Sequence, residues 1–197
     1  AILLTYASAN PASPVFFDAI VLPLCIAFAV AAALFAGKGE AAGRTFALAG
    51  IVAGLALLAV EAWLLTTCSG RDAWGVLLGA GPALIQAAAL GIAIVVLCGP
   101  ARRGWRALLA GAALVMTASL VFDVVLNQGD GTVLGAQFAA IAASPLFWAA
   151  AVMGLAAVVL LALPAASALV ARVAAACVVA AVPLFKLAIF QATQSVV

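Results

Sequence analysis

The chain has 197 residues, of which 70% are hydrophobic and only 7% charged, with a net charge of +2 and no histidine. A soluble domain carries about 25% charged residues, so a chain with a mean hydropathy of +1.39 cannot cover a globular surface in water, and lipid must be its solvent. The sparse positive charge excludes a nucleic-acid partner, and the missing histidines exclude bis-histidine haem, histidine zinc sites and histidine proton relays.

Backbone groups in hydrocarbon need internal partners, which leaves helices or a closed barrel. The apolar runs are about twenty residues long and do not alternate, so helices are expected. The expected fold is all-α: one integral membrane domain over residues 1–197 with about six transmembrane helices arranged as three hairpins. Spans are predicted at 14–36 (A), 45–67 (B), 74–97 (C), 105–126 (D), 145–163 (E) and 167–190 (F). The breaks between them, GKGEAAGR, CSGRD, GPARRG, NQGDG and LPAAS, are rich in Gly, Pro or charge. Residues 132–143 form either a short interfacial helix or an extension of E. The opening AILLTYASAN reads like the tail of an apolar segment running into a loop, which suggests an N-terminal portion ahead of it.

Lys38 and Arg44 lie between A and B, Arg102, Arg103 and Arg106 between C and D, and Arg172 at the start of F. The other side holds only Arg71, with Asp18, Asp72 and Asp130. The positive-inside rule then places the A–B, C–D and E–F connections in the cytoplasm of a bacterial-type inner membrane, with both termini outside. Trp74 and Trp105 stand at helix starts, as interface anchors do. Cys25, Cys68, Cys98 and Cys177 are scattered singly without a Cys-x-x-Cys pair, which argues against a thiol–disulfide enzyme or an iron–sulfur site in this chain. No metal-ligating residues are expected.

The hairpins repeat. The C–D hairpin maps onto E–F without a gap at an offset of 63 (145 − 82 and 186 − 123), which aligns Pro82 with Pro145, Phe122 with Phe185, Asp123 with Lys186 and Gln128 with Gln191. Repeats of two helices keep the same orientation and so predict parallel repeats about an axis along the membrane normal.

The return helix of each hairpin carries one ionisable residue: Glu61 in B, Asp123 in D and Lys186 in F. A charge within a span costs about 2.5–3.5 kcal/mol at mid-bilayer and usually faces the bundle interior and a partner. These three residues are read as a proton path or an intramembrane ion pair, or else as snorkelling side chains. Asn127, Gln128 and Gln191 extend the polar layer outward, and Gln86 in C is expected to make a helix–helix hydrogen bond. The spacing Gly50-x-x-x-Gly54 would let B approach a neighbour closely. Phe147 and Trp148 are candidates for stacking on a quinone ring, or for packing against core and lipid.

TYASANPASPVFFDAIVLPLCIAFAVAAALFAG, LLAVEAWLL, SPLFWAAAVMGLAAVVLLALP and VPLFKLAIFQ together resemble the C-terminal portion of the NrfD / polysulfide reductase membrane-subunit family. The related DMSO reductase anchor subunit is similar over the same stretches. Helices A, B, E and F carry the resemblance, and C and D stand as an inserted or repeated hairpin. The resemblance implies a haem-free subunit of a respiratory oxidoreductase complex that carries no bound cofactor of its own. Such a subunit exchanges electrons between quinone or quinol and an iron–sulfur protein docked on it, alongside other membrane subunits, and in this chain the Glu61, Asp123 and Lys186 layer would pass protons. That family's usual quinone pocket lies in its first half, which has no counterpart here, so no pocket residue is carried over. The alternatives are a small-solute or ion transporter and a purely structural subunit of a membrane complex.

Overall fold

The computed structural model describes residues 14–35, 40–66, 72–99, 102–129, 131–163 and 167–194. Lys38, Arg71, Asp130 and the lead-in before Pro14 lie outside the described residues. Within them the chain is helical: α1 (Pro14–Phe35), α2 (Glu40–Thr66), α3 (Asp72–Leu78), α4 (Ala80–Cys98), α5 (Arg103–Asn127), α6 (Val133–Ala142), α7 (Pro145–Ala162) and α8 (Ala168–Gln194). Five of these helices are long and apolar enough to cross a membrane, over Ala41–Leu65, Ala80–Cys98, Arg103–Asn127, Pro145–Ala162 and Ala168–Gln194. The 22-residue α1 has a comparable length, about 33 Å at 1.5 Å per residue. An all-α membrane bundle is therefore the architecture, as the composition demanded.

Several boundaries differ from the sequence reading. Predicted span C is two helices, because the chain breaks at Gly79 between α3 and α4. A Cβ at Gly79 would overlap the Gly75 carbonyl oxygen, so only glycine lets the chain pass that close. Residues 133–142 form a helix of their own. It opens after Gly131, whose φ of +71° is the left-handed region glycine favours, and on a Thr132 N-cap whose hydroxyl accepts from the Gly135 amide at 3.1 Å. It cannot run into α7, since the residue before Pro145 is pushed out of helical geometry and Pro145 opens the next helix. α2 begins five residues earlier than expected, at Glu40, and α8 continues to Gln194.

The chain divides into two compact units, Ala1–Cys68 and Ser69–Val197. In the first, α1 and α2 form an antiparallel hairpin. Gly50 and Gly54 face α1, with the Cys25 sulfur 3.8 Å from where a Cβ of Gly54 would stand and Phe28 3.7 Å from that of Gly50. The small-residue spacing thus serves the partner helix of the same hairpin. Aromatic pairs close both ends, Phe17 on Trp63 at 5.8 Å and Phe35 on Phe46 at 5.1 Å between ring centroids.

In the second unit α4, α5, α7 and α8 form a four-helix ring in which α4 packs on α5 and α8, and α7 packs on α8 and α5. The short α3 and α6 meet across one end, α3 against α8 and α6 against α5. Exchanging α3–α4–α5 with α6–α7–α8 reproduces these neighbours, so the internal repeat exists as an arrangement of elements. Its residue register is not 63. The buried positions of α4 and α7 coincide at an offset of 61 (147 − 86, 150 − 89, 154 − 93, 157 − 96). Those of α5 and α8 coincide at 65 (174 − 109, 178 − 113, 181 − 116, 182 − 117, 185 − 120, 189 − 124). At 63 the buried Gln86 would match the exposed Ala149 and the buried Ala89 the exposed Val152. A two-residue slip rotates a helix by about 200° and puts the wrong face inward.

Candidate functional site

The end of the ring closed by α3 and α6 holds most of the polar chemistry of the second unit. Trp74 of α3 donates its Nε1–H to Thr193 Oγ1 of α8 at 2.6 Å. Its ring meets Phe190 edge-on at 4.8 Å. Thr193 in turn donates to the Ile189 carbonyl at 2.7 Å. Beside this contact, the buried Gln137 of α6 accepts from the Ala73 amide of α3 at 3.1 Å, satisfying one of the orphan donors at the α3 N-terminus. Trp74 is therefore tied into the bundle end as well as standing at a helix start. Thr193 and Gln137 were invisible in the sequence because nothing local marks them; their significance comes from α3 folding across the ring.

Further down the core, Phe147 of α7 is fully buried and meets Phe185 of α8 at 5.4 Å between centroids. Its neighbour Trp148 is 42% exposed and donates Nε1–H to the Ala142 carbonyl at the end of α6, at 2.7 Å. Phe147 is thus a core residue, whereas Trp148 presents part of its ring outward at the level where α6 meets α7.

The ionisable residues stand on the return helices, half-buried in each case. Glu61 belongs to the first unit. In the second, Asp123 lies about 6 Å from the end of α5 and Lys186 about 12 Å from the end of α8, at 1.5 Å per residue. At the register set by the buried faces, Asp123 corresponds to Ala188 and Lys186 to Val121, so the two charges are not equivalent positions of the repeat. Among the described residues neither takes part in an ion pair. The polar residues that the sequence placed beyond them turn back on their own helix: Asn127 Nδ2 donates to the Asp123 carbonyl at 2.7 Å and Gln128 Nε2 to the Val125 carbonyl at 3.2 Å. Both are exposed; Gln128 satisfies a carbonyl that the end of α5 leaves free, and Asn127 adds a bond to one within the helix. Gln191 is exposed on α8.

Gln86 and Thr117 carry the polar groups deepest in the ring. Gln86 is 2% exposed; its Nε2 donates to the Leu77 carbonyl of α3 at a long 3.5 Å, a bond within one chain segment rather than across the ring. Thr117 is 1% exposed and abuts Gly154 of α7, where a Cβ would overlap its hydroxyl. Gln86 Oε1 and Thr117 Oγ1 are buried without a hydrogen-bond partner among the described residues. Among those same residues no three Cys, Asp or Glu side chains come together in a way that could hold a metal ion.

The basic residues cluster at the opposite end. Arg102 stands at the N-cap position of α5 and Arg103 and Arg106 in its first turn, where the helix dipole disfavours positive charge by about 0.3–1 kcal/mol each, and Arg172 lies a turn into α8. Comparison of the chain with known protein families, with curated proteins and with solved structures found no match in any of the three.

Proposed function

We propose that this chain is a multi-pass membrane subunit of a larger assembly, the haem-free membrane component of a respiratory oxidoreductase that interacts with quinone or quinol and anchors an iron–sulfur module. The observation that carries the assembly reading is the state of Asp123 and Lys186. Each sits half-buried in a span, and neither is matched by a charge among the described residues. An ionisable group at that level costs free energy unless something meets it, so a neighbouring chain, a lipid headgroup or water supplies the match. The respiratory reading rests on the sequence resemblance that stretches of α1, α2, α7 and α8 bear to NrfD-type and DMSO-reductase-anchor subunits, and proton transfer by Glu61, Asp123 and Lys186 belongs to it. In such a complex the redox groups reside in other subunits, and this chain contributes position and electrostatics.

Basic residues at the Arg102–Arg106 end support a cytoplasmic location for that end, which puts the α3–α6 end and both termini outside. Purification in mild detergent followed by mass spectrometry of subunits and lipophilic cofactors tests the proposal. Co-purification of an iron–sulfur protein and a quinone is expected; isolation of the chain alone, free of both, overturns it. A small-solute transporter is the second reading, favoured by the parallel two-hairpin repeat, and it predicts solute flux by the purified chain in liposomes.

A further inference from the structure

We infer that Gln86 Oε1 and Thr117 Oγ1 together hold a buried water inside the four-helix ring, between α4 and α5. Three observations lead there. Both oxygens are buried with no partner in the protein among the described residues, and a buried polar group left unmatched is costly enough that most are satisfied by protein or ordered water. The two lie at nearly one level: Gln86 is about 18 Å from the Cys98 end of α4 and Thr117 about 21 Å from the Arg103 end of α5, which packs against it.

The third observation is the repeat itself. At the register of the buried faces, Gln86 stands where the second hairpin has Phe147, and Thr117 where it has Val182. The fold therefore accepts an apolar pair at this level, so the polar pair is not needed to build the ring. Both polar substitutions fall in the same hairpin and face the same core. A glutamine side chain is smaller than a phenyl ring, and the flanking buried residues on α4, Ala83 and Ala89, are small. One water takes about 30 Å³ and needs at least two polar partners. An accepting amide oxygen and a hydroxyl that can donate or accept meet that requirement.

The test uses the full chain in nanodiscs. Water-edited solid-state NMR on the wild-type protein is expected to transfer magnetisation from water to Thr117, and the transfer is lost in Gln86→Met; absence of transfer in the wild type overturns the inference. Thermal unfolding gives an independent reading. With a bridging water, Thr117→Val and Gln86→Met each lower the midpoint by about 2–4 °C, because each leaves the other oxygen poorly matched, and the double variant recovers most of that loss. If the two oxygens are instead bare, each apolar replacement raises the midpoint and the two shifts add, which also overturns the inference.

Discussion

Gly154 shows how narrowly single residues decide packing in a core built from small side chains. It is buried on α7 with the Thr117 hydroxyl pressed against its α-carbon face. Gly154→Ala is expected to destabilise the protein by about 1–3 kcal/mol, since the added methyl forces Thr117 off its rotamer or pushes α5 from α7; thermal unfolding in detergent measures it. Lys186 is the opposite case. It takes part in no ion pair among the described residues, so Lys186→Met should leave the stability of the isolated chain within about 0.5 kcal/mol. The same substitution should lower the yield of any assembled complex, read as the ratio of complexed to free chain after size separation. A large loss of stability in the isolated chain would instead reveal an intramolecular partner.

Among the elements, the short helices matter more than their length suggests. α3 is 7 residues long and α6 is 10, too short to span a bilayer, and each turns into the following span at a break that sequence chemistry imposes. The Gly79 break separates α3 from α4, and Ser144–Pro145 separates α6 from α7. α3 is fixed across the ring by the Trp74–Thr193 hydrogen bond and the contact with Phe190. Trp74→Phe keeps most of the ring contact and removes the bond, and should cost about 0.5–1.5 kcal/mol. Hydrogen exchange checks where that cost falls: amides near Ala73 and Thr193 should lose protection ahead of those in α5, while uniform loss would show that α3 is no separate unit. Gly79→Ala removes the close passage by the Gly75 carbonyl and should lower stability by about 1–3 kcal/mol, measured by the same unfolding transition.

For the whole molecule, the proposed orientation rests on charge set against helix dipoles. Arg102, Arg103 and Arg106 occupy the start of α5, where the dipole opposes them, and the proposed cytoplasmic location of that end supplies a reason for their placement. Cys98 is exposed at the same end. A variant retaining Cys98 as its sole cysteine should react with a membrane-impermeant maleimide in inside-out vesicles and resist it in intact cells; the reverse pattern would invert the proposed topology.

By itself the sequence determined the fold class, an all-α bundle of long apolar helices, because hydropathy and helix-breaking chemistry are local properties that act wherever the segment sits. It also located the repeat as a succession of hairpins. The tertiary structure alone decided the register, since an alanine-rich helix offers many chance alignments and only contact with neighbouring helices fixes which face turns inward. The same contacts sent Phe147 into the core, tied Trp74 into the bundle end, and brought the unremarked Gln137, Thr193 and Thr117 into the interior. Those residues owe their roles to groups between 37 and 119 positions away along the chain, as Thr117 against Gly154 and Trp74 against Thr193 illustrate, and no local pattern encodes such meetings.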